Sequence, residues 1–146
     1  MLKNLSIFLT IAAITLIIDQ IIKQIFIDGY RLETSCITFS LVYNRGVAFS
    51  MFEFLGDYLK YIQIVILAGI VAFLFWERER FGTYGIGLAF VLGGGASNIL
   101  DRFIHIGVVD YVYWHCGFDF AIFNLADVMI DFGIVILLIK ILRENK

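Results

Sequence analysis

Four apolar runs, each close to the ~20 residues that span a bilayer core, constrain this chain more than any other feature. They extend over about 5–26, 58–76, 82–100 and 125–142. A backbone crossing lipid must satisfy its own N–H and C=O groups, so runs of this length are helices. Composition agrees: 61% of the residues are hydrophobic, 16% are charged, and proline is absent. A soluble domain carries about a quarter charged residues. The expectation is an all-α membrane protein, a single polytopic domain over 1–146 with four transmembrane helices. A net charge of −2 without a basic patch excludes nucleic acid as a partner. The first run lacks a good processing site beyond Ala12-Ala13 and is read as a retained helix and not a cleaved leader.

Lys3, the Glu77-Arg78-Glu79-Arg80 loop and the tail with Lys140, Arg143 and Lys146 fall on one side of these helices. The positive-inside rule makes that side cytoplasmic, with both termini inside. Two longer segments, about 28–57 and 101–124, then lie outside. In the first, Cys36, Thr38, Ser40 and Val42 alternate with Ile37, Phe39, Leu41 and Tyr43, the period of a half-buried strand. Asn44-Arg45-Gly46 reads as a turn, with 47–54 returning as a second strand to give a small hairpin or sheet at the membrane surface. The second segment, rich in aromatic residues from Tyr111 to Phe123, is expected to lie along the headgroup region. Cys36 and Cys116 both face outward. A disulfide is possible in an oxidising compartment, but two separate thiols are the favoured expectation, since spacing does not show that they meet.

The second apolar run, with Tyr58, Tyr61 and Lys60 at one end and Trp76 at the other, is scaffold with an interfacial belt. In the third, Gly85, Ala89, Gly93 and Ser97 form a small-residue ridge suited to close helix packing. It is not a phosphate loop, because no strand precedes it and no lysine follows. Asn98, Asp101 and Arg102 share the helical face after it, Asp101 and Arg102 being readable as a local ion pair. Asp19 and Lys23 are spaced for an ion pair near the interface, with Lys23 reaching outward.

Asp110 and Asp127 are the two charges that this architecture excuses least. An ionisable residue at membrane depth is costly and is a functional candidate by default. Asp127 also fits a capping box with Asn124 at the start of the fourth run. Asp110, after two valines and before an aromatic run, has no local partner. Brought together, two carboxylates share one proton, the arrangement in which one activates water and the other protonates a carbonyl. Ser97 and Cys116 lack a histidine partner in any catalytic motif, and His105 and His115 lack metal-ligand spacing, so neither a nucleophile nor a metal is expected. Two classes remain from the residues alone, a hydrolase at the outer leaflet and a small proton- or ion-conducting helix bundle. Charges gathered at one face and not at the midplane favour the hydrolase.

Five stretches, in order, resemble the bacterial signal peptidase II family of membrane aspartyl proteases. They are Asp19-Gln20-Ile21-Ile22-Lys23, the run from Asn44 to Ser50, the run from Gly93 to Arg102, Val108-Val109-Asp110, and Phe123-Asn124-Leu125-Ala126-Asp127. The resemblance implies an endopeptidase of the bacterial inner membrane, its site towards the extracytoplasmic face. It makes Asp110 and Asp127 the catalytic pair, with Asp19, Lys23, Asn44, Gly46, Asn98, Asp101, Arg102 and Asn124 supporting the site or holding substrate. It implies a diacylglyceryl-prolipoprotein substrate cut before the lipidated cysteine, membrane lipids as surroundings, inhibition by globomycin-type cyclic peptides, no cofactor and a monomer. Ser97 stands where the family commonly has glycine, a change expected to matter little. The proline often found shortly before the Phe-Asn motif is absent.

Overall fold

A computed structural model describes residues 2–47 and 51–144. Four long helices form, α1 (Leu2–Ile27), α2 (Tyr58–Trp76), α3 (Phe81–Ile104) and α4 (Leu125–Glu144). Among the described residues, three helical stretches, 3–27, 58–76 and 78–104, are long and apolar enough to cross a membrane by composition alone. The fourth, α4, is comparable in length but carries Asp127, Asp131 and Lys140 within its span. α3 runs four residues past the expected end at Leu100, which places Asp101 and Arg102 on the helix with Asn98.

Large aliphatic and aromatic side chains point outward: Leu9, Ile17, Ile21, Val65 and Leu138 are exposed. Asp19, Lys23, Ser97, Asn98, Asp101, Asp110 and Asn124 are buried. That inversion suits a lipid environment, where apolar contact with neighbours brings helices no closer and small residues and polar links hold them.

α3 is the centre of the bundle, and three consecutive glycines each serve one neighbour. A methyl group at Gly93 would lie 2.6 Å from the Ala12 carbonyl of α1. At Gly94 it would lie 2.6 Å from the Ala126 carbonyl of α4, and at Gly95 3.0 Å from Leu67 of α2. Residues about 100° apart around a helix face three directions, so the triplet seats three helices at one level. Gly94→Ala is therefore expected to push the first turn of α4 off α3. Overpacking of this kind costs about 1–3 kcal/mol, read as a lowered midpoint of thermal unfolding in detergent. An unchanged midpoint would show that this contact is not tight.

Outside the bundle lies a three-stranded sheet in the order β1 (Leu32–Glu33), β2 (Ile37–Asn44), β3 (Val108–Trp114), both pairs antiparallel. The alternating segment is a strand as expected. Its expected return over 47–54 is corrected in its described part: 51–52 form a turn and Glu53–Leu55 a 3-10 helix, while 48–50 lie outside the described residues. The partner of β2 is instead β3, from the segment read as an interfacial aromatic loop. Its first four residues are all buried, so no alternation marked it as a strand.

Cys36 and Cys116 are joined as a disulfide, which corrects the expectation of separate thiols. The antiparallel register pairs Ile37 with Trp114, and the His115 amide donates to the Cys36 carbonyl at 2.9 Å, bringing the two cysteines side by side.

Candidate active site

Sheet register brings the first carboxylate to its partners. Val42 is opposite Asp110 and Asn44 opposite Val108, so Asn44 and Asp110 are diagonal neighbours on one face. Asn44 Nδ2 donates to Asp110 Oδ2 at 2.9 Å, and Asn124 Nδ2 donates to Oδ1 at 2.7 Å. Asn44 is itself held in its turn, its Oδ1 accepting the Gly46 amide at 3.0 Å. Asp110, 1% exposed, thus has partners, but they come from two other elements.

The second carboxylate stands on the first turn of α4, where backbone N–H groups need acceptors. The expected capping box forms: Asn124 Oδ1 accepts the Asp127 amide at 2.9 Å, and Asp127 Oδ2 accepts the Asn124 amide at 3.1 Å. Two further acceptors come from distant elements. Tyr111 Oη, on β3, takes the Leu125 amide at 2.9 Å, and Asp19 Oδ1, on α1, takes the Ala126 amide at 2.9 Å. The helix end that carries Asp127 is therefore pinned from three directions. Phe26 stacks on Tyr111 with ring centres 4.3 Å apart and holds that phenol in place.

Asn98 and Asn124 connect the two carboxylates. Asn98 Nδ2 donates to Asp127 Oδ1 at 2.8 Å, while its Oδ1 accepts from Asn124 Nδ2 at 3.0 Å. Beneath them Lys23 Nζ contacts Asn98 Oδ1 at 2.9 Å, Asp19 Oδ2 at 2.6 Å and Asp101 Oδ2 at 2.7 Å. Those three acceptors match the three protons of the ammonium. Lys23 is 1% exposed, so the reading in which it reaches outward is corrected: inward it finds two carboxylates, outward only lipid. Asp101 is likewise not paired with Arg102. It holds Lys23, the Val109 amide at 3.0 Å and Gln20 Nε2 at 2.7 Å. Arg102 bonds the Gly46 carbonyl, and at 3.5 Å the Asn98 carbonyl, tying α3 to the turn after β2.

Sequence reasoning assigned no role to Gln20 or Tyr111 and expected little of Ser97. Ser97 Oγ donates to Asp19 Oδ2 at 2.6 Å and accepts from Gln20 Nε2 at 2.9 Å. The available signal was polarity itself: Gln20 and Ser97 are hydrogen-bonding residues inside apolar runs, next to Asp19 and Asn98. His115 bonds Thr38 at 3.1 Å and His105 packs on Tyr43.

Burial, and then the charge of Asp127, push the Asp110 carboxyl up to about 7, against the opposing pull of the Asn44 and Asn124 hydrogen bonds. Burial likewise raises the Tyr111 phenol, which stays neutral as an acceptor for α4. Asp110, Asp127, Asn44, Gly46, Asn98 and Arg102 all line one cavity of about 530 Å³, whose remaining wall includes Phe120, Ile122, Phe123 and Val128. Two carboxylates joined through neutral amides, one of them able to keep a proton at neutral pH, can move protons to and from a bound amide and a water.

A family profile described as Signal peptidase (SPase) II matches residues 11–143. The chain is 56% identical to a lipoprotein signal peptidase of Sulfurimonas denitrificans over 137 residues, covering 94% of this chain and 88% of that protein. It is 50% identical to a lipoprotein signal peptidase of Helicobacter pylori strain 26695 over 138 residues, with the same coverage of 94% and 88%. In fold it is similar to a bacterial membrane enzyme structure determined by the in meso method at 2.3 Å resolution. The TM-score is 0.84 at 23% identity, covering 97% of this chain and 90% of that one.

Proposed function

The chain belongs to the signal peptidase II family, and on that premise we propose that it is an aspartic-type endopeptidase cutting diacylglyceryl-modified prolipoproteins just before the lipidated cysteine. The observation that carries this reading is that Asp110 and Asp127, from separate elements, open into one cavity and bond to the same Asn124.

In the proposed cycle Asp127 is ionised and Asp110 carries the proton. Asp127 takes a proton from a water whose oxygen attacks the scissile carbonyl carbon, and Asp110 gives its proton to the carbonyl oxygen. The C–N bond then breaks as Asp127 passes its proton to the leaving amine, and one hydroxyl of the intermediate returns its proton to Asp110. Water is the only co-reactant. Asn44, Asn98 and Asn124 orient the carboxylates as neutral donors, so they add no positive charge that would strip the shared proton. Lys23 is kept from the pair by the two carboxylates it already holds.

A substrate anchored in the membrane reaches this cavity from the lipid side. α2 packs mainly on α3, leaving the space between α2 and α4 to the cavity, whose lining comes from both. Globomycin-type cyclic peptides are proposed to bind in the same space. One copy of the chain supplies both carboxylates, consistent with a monomer surrounded by lipid. Two independent features support the proposed topology. The disulfide belongs to an oxidising compartment and lies at the sheet end with Asp110, and the basic flanks Lys3, Arg78, Arg80, Lys140 and Arg143 lie at the other end. The site then faces outward and both termini inward, in a bacterial inner membrane.

The test is cleavage of a lipidated prolipoprotein by the purified chain across pH. Because the acid acts in its protonated form and its value is raised to about 7, kcat/KM is expected to fall as pH rises through about 7. An alkaline limb far above that range would exclude Asp110 as the acid, and absence of any cleavage would sink the proposed function.

A further inference from the structure

Two polar side chains line the same cavity without entering the network around the aspartates. Gln63 is on α2 and Asp131 on α4, with Val128 and Ile130 among the apolar residues beside them. Gln63 Oε1 is shut off from solvent and, among the described residues, has no hydrogen-bond partner. A buried acceptor left unpaired costs free energy in the empty protein, so its donor is expected from outside the chain. Rotation about the soft terminal torsion of the side chain is enough to present the oxygen to the cavity.

Depth separates the two groups along the cavity. Asp131 is four residues beyond Asp127, one helical turn or about 6 Å further along α4, on the membrane-centre side of the catalytic pair. Leu67 of α2 packs on Gly95, level with the contact of Ala126 on Gly94, and Gln63 is four residues before Leu67, about 6 Å nearer the outer end of α2. Gln63 therefore stands no deeper than the catalytic pair, and Asp131 stands below it.

A peptide bond must leave helical hydrogen bonding before it is cut, which frees backbone N–H groups on the flanking residues. The lipid beside the cavity offers these groups no acceptor. We propose that Gln63 and Asp131 are positioning residues that accept backbone N–H groups of the extended signal-peptide segment, Gln63 beside the scissile bond and Asp131 on its amino-terminal side. They set the register of that segment against Asp110 and Asp127. The inference rests on the proposed peptidase reading and adds to it where the peptide runs and what reads its backbone.

The experiment uses the full chain in lipid nanodiscs and synthetic diacylglyceryl lipopeptides. In each peptide one successive amide flanking the scissile bond, on either side of it, is replaced by an ester, which removes a single N–H. One such ester is expected to raise KM about tenfold while kcat stays within about twofold, the loss of one hydrogen bond made equally in ground and transition states. Gln63→Leu is expected to raise KM for the all-amide peptide by a similar factor and to abolish the further penalty of that ester. Gln63→Glu and Asp131→Asn, which keep an acceptor oxygen, are expected to restore KM, and Asp131→Leu is not. Thermal unfolding of Gln63→Leu is expected at or above the wild-type midpoint, since a structural role would lower it. An ester penalty that persists undiminished in both leucine variants, or a Gln63→Leu variant with unchanged KM, would overturn the proposal while leaving the peptidase reading intact. Failure of the wild-type chain to cut the all-amide lipopeptide would overturn both.

Discussion

Asp110→Asn and Asp127→Asn are each expected to slow cleavage of a lipidated prolipoprotein about 10²–10⁴-fold, the usual contribution of a positioned acid or base. A gel-shift assay separating precursor from mature lipoprotein reads the loss directly. The two carboxylates act as one unit in the proposed cycle, so the double variant is expected to be little worse than either single one. Both oxygens of Asp110 accept from amide donors, and both oxygens of Asp127 accept from N–H groups. An asparagine at either place sets its own NH₂ against a donor, at a cost of about 1–3 kcal/mol. The unfolding midpoint must therefore be measured beside activity. A folded variant without activity supports the pair as catalyst, and full cleavage by either variant removes that residue from it. Proton flux through liposomes that hold the chain and no peptide would instead revive the conducting bundle.

Lys23→Met is expected to have the largest effect on stability. Methionine matches the aliphatic stem but leaves Asp19 and Asp101 buried, close to one another and without a counter-charge. Removing one partner of a buried pair costs about 3–5 kcal/mol, a large share of what holds a protein of this size. The expected result is a steep fall in the unfolding midpoint in detergent and in the yield from membranes. Combining Lys23→Met with Asp19→Asn is expected to recover part of the loss, because one uncompensated charge goes while an oxygen remains for the Ala126 amide. Asp19→Asn alone keeps that oxygen too and is expected to be milder than Lys23→Met. A Lys23→Met midpoint equal to wild type would mean that the ammonium reaches out of the bundle after all.

The helices, the strand over Ile37–Asn44 and the capping box between Asn124 and Asp127 were legible in the sequence. Each rests on interactions between residues a few positions apart, which hydrophobic period and spacing record. The family motifs likewise mark Asp110 and Asp127 in one line of text. What the text does not carry is direction. Spacing pairs Asp19 with Lys23 but is silent on whether the ammonium turns to lipid or to Asp101, 78 residues beyond it. The same holds for β3, whose buried face-to-face residues erase the alternation that would announce a strand, and for Tyr111 as the acceptor that holds the start of α4. It holds for Ser97, dismissed as a small residue on a packing ridge and found bonded to Asp19. The disulfide belongs with these, since only the register of β2 on β3 brings Cys36 beside Cys116. By itself the sequence determined that the chain has helices long and apolar enough to cross a membrane, and it singled out the two carboxylates that line one cavity. The tertiary structure decided which polar groups meet there, because in a low-dielectric interior each must find its partner wherever in the chain the packing supplies one.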